Sequence, residues 1–270
     1  MSILIAGNYC HDTLLGNSGE QRTLGGSAAY AAAILDALGE PYEVVAKVGP
    51  DFLYADRVLK RAEIVPGART TAFIDDYRPE ARRGRVEALC EPIRPEDLRG
   101  SHQIGIACGI AGEVLPETLR RMRAICDLVI ADAQALLRHV SADGEVLLRP
   151  PHPDAVAQLD FLKASRSEAA WLDVPTLRRR LTLLITDGSR GSTLLAADRE
   201  IHVEAFPATQ IDPTGAGDCF LAGFAVGLAR GLGPERAARI GAYCGARAVE
   251  QVGVPRLTPQ QAADAIRSAR

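Results

Sequence analysis

The stretch IDPTGAGDCF, residues 211–220, joins a loop rich in turn-forming residues to an apolar segment with the pattern of a helix. Its Asp-Pro start favours a turn, and Thr214 is a candidate N-cap. Because Gly215 and Gly217 have no side chains, their backbone N–H groups can approach a ligand closely. The first N–H groups of a helix have no partner inside it, and the helix dipole places partial positive charge there. The stretch therefore predicts an anion-binding site, with the carboxylate of Asp218 beside it.

An anion site with a base beside it has the parts that phosphoryl transfer to a hydroxyl requires. One group takes the proton, and fixed dipoles hold the migrating charge. The alternative interpretation is a capped helix with a glycine-rich entry and no chemical function. We favour the functional interpretation, because a carboxylate such as Asp218 is unfavourable in an anion-binding turn unless it has a function.

Length and composition limit the classes of protein to consider. The chain of 270 residues is long enough for one large α/β domain with a small appendage, or for two domains. Its net charge of −3 gives no polybasic character that would indicate nucleic acid or an anionic membrane as a partner. No run approaches the ~20 apolar residues of a membrane span. The first residues lack the basic region of a signal peptide, and the six cysteines have no CxxC spacing. We expect a cytoplasmic protein with free thiols.

Apolar β-like runs alternate with helical segments over much of the chain, which is typical of an α/β fold with a parallel sheet. The first run, Ile3 to Ala6, is followed closely by Asp12. Ligands of α/β proteins bind beyond the carboxyl ends of strands, so this carboxylate could accept hydrogen bonds from substrate hydroxyls. From the residues alone, an exposed turn aspartate is the favoured alternative. The sequence also predicts a helix from about Asp51 to about Glu63.

The motif Asp-x-Thr-Gly-Ala-Gly-Asp at residues 212–218 resembles the C-terminal signature of the PfkB, or ribokinase-like, carbohydrate kinases. The resemblance covers nearly the whole chain, with the motifs in the right order. It implies a ribokinase-like three-layer α/β sandwich, with a central, mainly parallel sheet, in a single domain spanning residues 1–270. It also implies a small β-lid from interleaved segments at about 13–24 and 70–90, and a homodimer formed through that lid. ATP and Mg²⁺ are the implied cofactors, and participation of a monovalent cation stays open.

The resemblance also assigns roles to residues of this chain. Asp218 is implied as the catalytic base, with an anion hole formed by the amides of Gly215, Ala216 and Gly217. For the side that binds the phosphoryl acceptor, the implied residues are Asp12, Gly25, Gly26 and Asn8. For the nucleotide, they are Thr186, Gly188, Gly191, Thr214 and Cys244.

A metal role is implied for Glu168. The family carries Asn-x-x-Glu where this chain has Ser165-x-x-Glu168, and that motif helps to organise Mg²⁺ and phosphate. A serine followed three residues later by glutamate is also a capping box, which is a structural alternative.

Three segments are similar to the plant-type myo-inositol kinase branch of the family: residues 7–12, 24–28 and 162–165. That branch also lacks the asparagine that the family often has at the position of Tyr30. A cyclitol is therefore the first choice of acceptor, while ribose, a ketohexose, 2-keto-3-deoxygluconate and a nucleoside remain open. A non-catalytic sugar-binding or nucleotide-binding protein is an alternative of another class. A Rossmann-type dehydrogenase is disfavoured, because no GxGxxG follows the first strand.

Overall fold

The computed structural model of the protein describes residues 2–16, 19–76, 78 and 83–270. Among them the strands, in chain order, are β1 (Ile3–Ala6), β2 (Cys10–Gly16), β3 (Gly19–Gly25), β4 (Tyr42–Val45), β5 (Lys47–Val48), β6 (Glu63–Ile64), β7 (Ala72–Asp76), β8 (Arg83–Ala88), β9 (His102–Ala107), β10 (Cys126–Asp132), β11 (Arg138–Val140), β12 (Val146–Leu148), β13 (Phe161–Ser165), β14 (Thr182–Thr186), β15 (Ser192–Leu195) and β16 (Glu200–Val203). The α-helices in the same part of the chain are α1 (Ser27–Ala37), α2 (Pro116–Ile125), α3 (Gln134–Leu137), α4 (Pro153–Val156), α5 (Val174–Leu177), α6 (Ala216–Ala229), α7 (Pro234–Ala248) and α8 (Pro259–Arg267). None of these helices is long and apolar enough to cross a membrane.

A central sheet of eight strands has the order β16-β15-β14-β13-β10-β9-β1-β4. The six strands from β14 to β4 pair in parallel, and β15 and β16 add an antiparallel edge. Strands covered on both faces are apolar along their whole length, as the fully buried β1 is. The predicted α/β class with a mainly parallel sheet is confirmed.

Helices cover both faces of this sheet and complete three layers. Side chains alternate along a strand, so Ile3 and Ile5 pack with α1, α6, α7 and α8 on one face. Leu4 and Ala6 pack with α2, α3 and α4 on the other. The carboxyl ends of the parallel strands all lie at one edge of the sheet, where ligands of α/β folds bind.

Helix α6 is apolar on every side because it lies between the sheet and α7. Glycines make the approach of α7 possible. A Cβ on Gly227 would lie 2.5 Å from the Cα of Ala237, and one on Gly223 would lie 2.9 Å from the Sγ of Cys244. This tight packing holds α6, and with it the start of α6, in a fixed position relative to the sheet.

A second sheet has the order β3-β2-β7-β8, with β2 and β7 parallel and the outer pairs antiparallel. Its strands occupy the segments at which the lid was predicted, but β2 begins at Cys10, so the sheet also carries Asp12. Within the predicted lid segments, residues 17–18, 77 and 79–82 lie outside the described residues.

The predicted helix from Asp51 to Glu63 is wrong. Residues 51–62 form turns and irregular structure instead. The carboxylate of Asp51 accepts hydrogen bonds from the backbone N–H and the hydroxyl of Thr70, both at 2.8 Å. This aspartate therefore ties the loop to a distant segment instead of capping a helix.

Candidate active site

A cavity of about 280 Å³ lies between the carboxyl ends of the main-sheet strands, the second sheet and the start of α6. Strand β2 and the start of α1 contribute one wall, and β10, β13 and their following loops contribute another. The side chains lining it are mostly polar or charged. The polar and charged residues among them include Asp12, Ser27, Tyr30, Asp132, Gln134, Arg138, Lys163, Glu168, Thr214 and Asp218.

The start of α6 has a backbone shape that requires glycine. Gly215 is the N-cap, with φ +76° in the left-handed region, and a Cβ there would overlap the ring of Tyr30. The N-cap is thus one residue later than the predicted Thr214, whose backbone N–H donates to Asp212 Oδ1 at 2.9 Å. Gly215 and Gly217 line the cavity, and the N–H of Ala216 donates to the carbonyl oxygen of Pro213 at 3.4 Å. The positive end of the helix dipole lies at this start, as an anion site requires.

Asp218 lies in the first turn of α6 and lines the cavity. The hydroxyl of Ser27 donates to its carboxylate, and Gln134 Nε2 lies 3.4 Å from Asp218 Oδ1 and 2.7 Å from Ser27 Oγ. These contacts orient the carboxylate. Burial, and secondly the charge of Asp132, raise the pKa of Asp218 to about 7. A carboxylate with such a pKa is suited to act as a general base near neutral pH.

Beneath the start of α6 lies a buried ion pair, with Lys163 Nζ 2.7 Å from Asp132 Oδ2. A Cβ on Gly217 would overlap that ammonium group, so the glycine lets a cation come directly under the anion site. Burial acts to lower the pKa of Lys163, but the carboxylates of Asp132, Glu168 and Asp218 hold it above its usual value. Lys163 is therefore charged and adds to the positive potential of the helix end.

Glu168 lines the cavity, and its Oε2 accepts hydrogen bonds from the backbone N–H and the hydroxyl of Ser165, at 2.8 and 2.7 Å. Burial acts to raise the pKa of Glu168, but the charge of Lys163 and the bonds from Ser165 outweigh it and hold that pKa below its usual value. An ionised carboxylate fits Mg²⁺, which prefers oxygen ligands. The described residues contain no group of three or more metal-ligating side chains, so phosphate oxygens and water would have to supply the other ligands.

Of the two consecutive glycines predicted for the acceptor side, Gly26 lines the cavity and Gly25 lies against Asp12. A Cβ on Gly25 would overlap the carboxylate of Asp12, and one on Gly26 would overlap the carbonyl oxygen of Asn8. Gly26 also has φ +94° at the N-cap of α1. The pair therefore lets Asp12, which is largely buried and accepts a bond from Cys10 Sγ at 3.0 Å, lie against the backbone inside the cavity.

Comparison with known proteins identifies the family. The model of the pfkB family of carbohydrate kinases matches residues 110–261, more than half of the chain. The chain belongs to the pfkB family of carbohydrate kinases. It is 42% identical to an inositol 3-kinase of Zea mays, over 95% of this chain and 74% of that protein. It is 28% identical to the ribokinase of Bacillus subtilis, over 84% of this chain and 81% of that protein.

A solved structure of a pyrophosphate-dependent kinase in the ribokinase family, complexed with a pyrophosphate analog and myo-inositol, has the same fold as this kinase. The TM-score is 0.82 at 18% identity, over 97% of this chain and 99% of that one. The ribokinase-like architecture expected from the sequence is therefore confirmed, and so is the membership of a family whose enzymes phosphorylate a hydroxyl group.

Asn8 does not lie where the sequence places it. In this kinase its side chain is buried and absent from the cavity wall. Asn8 Oδ1 accepts a bond from the backbone N–H of Lys47 at 2.7 Å, and Nδ2 donates to the carbonyl oxygen of Glu91 at 3.2 Å. The sequence predicts that Asn8 contacts the acceptor, but its side chain bridges two loops instead.

Of the residues predicted to contact the nucleotide, Thr214 lines this cavity. Gly188 and Gly191 have positive φ in the tight turn after β14, where the N–H of Asp187 bonds to the carbonyl of Gly191 at 2.8 Å. Thr186 bonds weakly to a neighbouring strand. Cys244 is fully buried between α6 and α7, so its side chain has no surface left for a nucleotide.

Sequence reasoning missed several polar residues of the cavity: Ser27, Asp132, Gln134, Arg138 and Lys163. One of them carried a signal, because a lysine inside the apolar run Leu162 to Ala164 has to find a partner when the strand is buried. Nothing in the local sequence of the other four indicates that they meet at one site.

We predict that Asn8→Ala weakens the fold and not the recognition of the acceptor. Removing the side chain leaves the buried N–H of Lys47 without its partner, which should lower the free energy of unfolding by about 1–3 kcal/mol. Urea denaturation measures this change, and the acceptor KM at a temperature where the variant is folded measures the second part. Asp12→Asn is the comparison, with a clear rise of KM expected. A stable Asn8→Ala enzyme with an equally raised KM would restore Asn8 to the acceptor site.

Proposed function

We propose that this kinase transfers the γ-phosphoryl group of ATP to a hydroxyl of a cyclitol, with myo-inositol as the first substrate. The observation that carries the proposal is the placement of Asp218 in a cavity between the positive start of α6 and the carboxylate of Asp12. The similarity to inositol 3-kinases over most of the chain supports a cyclitol. So does the shared fold of the kinase complexed with myo-inositol.

The chemistry follows from what each group can hold or move. Asp12 accepts hydrogen bonds from the hydroxyls of the acceptor and so orients it on the side of the second sheet. Asp218 takes the proton of the attacking hydroxyl, while Ser27 and Gln134 keep the carboxylate in place. The amides of residues 215–217 and the ammonium of Lys163 stabilise the negative charge on the transferred group.

Glu168 would help to hold Mg²⁺. The ion would neutralise negative charge on the oxygens of the donor phosphates. The position fits, because Glu168 is ionised and faces the same cavity as Lys163 and Asp218.

Pyrophosphate is a second candidate donor, and one observation favours it. Of the residues predicted to contact the nucleotide, Thr186, Gly188, Gly191 and Cys244 do not line the cavity. A kinase of the same fold is described as pyrophosphate-dependent.

A donor and acceptor matrix tests the proposed function. Each of ATP and pyrophosphate, with Mg²⁺, is combined with myo-inositol, ribose, fructose, 2-keto-3-deoxygluconate and adenosine, and the phosphorylated acceptor is quantified. We expect the highest kcat/KM for ATP with myo-inositol. Turnover of ribose without turnover of inositol would refute the cyclitol. Turnover with pyrophosphate and none with ATP would reassign the donor and leave the acceptor unchanged.

Asp218→Asn should bind the donor but lose catalysis, because the amide cannot take the proton of the acceptor. The expected loss in kcat is ~10²–10⁴, with donor affinity, measured by calorimetry, close to that of the wild type. Near-normal turnover would remove Asp218 from the role of base.

The pH profile should also report Asp218. Because the base acts deprotonated, kcat/KM should be fully developed above about pH 7 and fall as the pH drops through about 7, where the raised pKa of Asp218 lies. The charge of Asp132 is one cause of that elevation, so Asp132→Asn should move the inflection to lower pH. Asp127→Asn, which changes an exposed carboxylate on the same strand, is the control and should leave it in place. An unmoved inflection in Asp132→Asn would contradict the assignment.

We further propose that residues 1–270 form one domain, because both sheets line a single cavity. The second sheet would act as a lid and, through an edge strand, β3 or β8, as the contact in a homodimer. All six cysteines are buried free thiols, which suits a reducing compartment such as the cytoplasm.

A further inference from the structure

A buried carboxylate that the proposed mechanism does not use lies outside the cavity wall. Glu113 follows β9, precedes α2 and is 5% exposed, and it is not among the residues that line the cavity. Burying a carboxylate is costly unless hydrogen bonds compensate for the lost water. The bonds that Glu113 accepts therefore indicate what it does.

Glu113 binds backbone N–H groups from two loops. Both of its carboxylate oxygens accept from the N–H of Ile110 at 2.9 Å, and Oε2 accepts from the N–H of Ala111 at 2.8 Å. Oε1 also accepts from the N–H of Asn8 at 3.2 Å. Hydrogen bonds from N–H groups to a carboxylate are stronger than those to a neutral oxygen. Glu113 therefore fixes the turn after β9 and ties it to the loop after β1.

That turn supports the second sheet. Ile110 is buried in one apolar cluster with a residue from each of three strands of the second sheet, Cys10 of β2, Phe73 of β7 and Val86 of β8. The partly buried Ala111 packs against the same cluster. Both residues whose N–H groups bind Glu113 within the turn are thus in contact with the sheet that carries Asp12.

The turn also contacts a charged side chain of the cavity. Arg138 Nη1 makes a long bond of 3.4 Å to the carbonyl oxygen of Ile110, and Arg138 lines the cavity. A shift of the turn would therefore move the second sheet and disturb a cation of the cavity wall together.

We propose that Glu113 is a positioning residue, which sets the spacing between Asp12 on the second sheet and Asp218 on α6 by holding the turn at 109–111. This inference rests on the proposed function, in which the acceptor binds between those two carboxylates. Glu113 acts through Ile110 and touches neither substrate. A displacement of about 1 Å that originates far from the reacting atoms can cost ~10²-fold in rate, so a buried carboxylate outside the cavity can control turnover.

Glu113→Gln is the decisive variant. Glutamine has almost the same size, but its NH₂ group is a donor and cannot accept the N–H bonds that one carboxylate oxygen accepts. We expect kcat/KM for myo-inositol to fall about ten- to hundred-fold as the turn shifts. The affinity for the donor, measured by calorimetry, should stay the same, because the start of α6 and Lys163 are not held by this turn.

Asp160→Asn is the matched control. Asp160 Oδ2 also accepts from a backbone N–H, that of Val129 at 2.8 Å. It directly precedes β13, at the edge of the sheet away from the cavity, and does not line the cavity. Both variants should lower the melting temperature, since each loses a hydrogen bond to a carboxylate. Only Glu113→Gln should lower kcat/KM for myo-inositol. Equal kinetics of the two variants at a temperature where both are folded would overturn the inference.

Val86→Ala tests the same contact from the second sheet, and it keeps the inference falsifiable if Glu113→Gln does not fold. Val86 packs in the cluster with Ile110 but does not line the cavity. Its truncation should also lower kcat/KM for myo-inositol with donor affinity unchanged, and normal kinetics would count against the inference. In the double variant the two losses should not add, because both act through Ile110. Additive losses would contradict that route.

Failure of the proposed function gives a different result. If the wild type phosphorylates no cyclitol, the proposed acceptor is wrong, and the same variants are compared with the acceptor that the donor and acceptor matrix identifies. A loss confined to that acceptor in Glu113→Gln and Val86→Ala would still support the positioning role. Its absence would overturn it.

Discussion

The start of α6 depends on two glycines. Other parts of the chain pack so closely against them that a side chain would not fit. Gly215 receives the ring of Tyr30 from α1, and Gly217 receives the ammonium of Lys163 from β13. Replacing either by a larger residue would push α1 or the sheet away from the helix end. These two contacts therefore set the distances among the proposed base Asp218, the first-turn amides and the buried cation, on which electrostatic stabilisation of a developing charge depends.

A second constraint is the balance of charge below those amides. One buried ammonium, Lys163, acts with three carboxylates, Asp132, Glu168 and Asp218. Breaking a buried ion pair commonly costs about 3–5 kcal/mol, so Lys163 and Asp132 are kept as a unit. Burial, and secondly the charge of Asp132, raise the pKa of Asp218, whereas the charge of Lys163 and the bonds from Ser165 outweigh burial and lower the pKa of Glu168. Neighbouring carboxylates can thereby serve different purposes, one on a metal ion and one on a proton.

How far the sequence could predict this site depends on whether the groups are neighbours in the chain. The helix start within residues 211–220 was predictable, because a turn, two glycines and an apolar run follow one another there. Ser27, Gln134 and Lys163 come from three elements and meet only in the folded chain. Asn8 follows a strand at the ligand-binding edge, yet its side chain turns away to pair with backbone groups of other loops. Position in the sequence predicts the edge of the sheet, but not the direction of the side chain.

The fold was predictable for a related reason. Strands that are buried on both faces are apolar along their length, and this pattern is visible among residues that are neighbours in the chain. The site, in contrast, is built from two sheets with different tasks. The small sheet brings Asp12 through β2, while the main sheet and α6 bring Lys163 and Asp218, which we propose to act on the phosphoryl group. Sequence changes in the small sheet can thus alter the acceptor without disturbing Asp218. Tyr30 links the two parts of the site, because one residue both lines the cavity and packs on the start of α6.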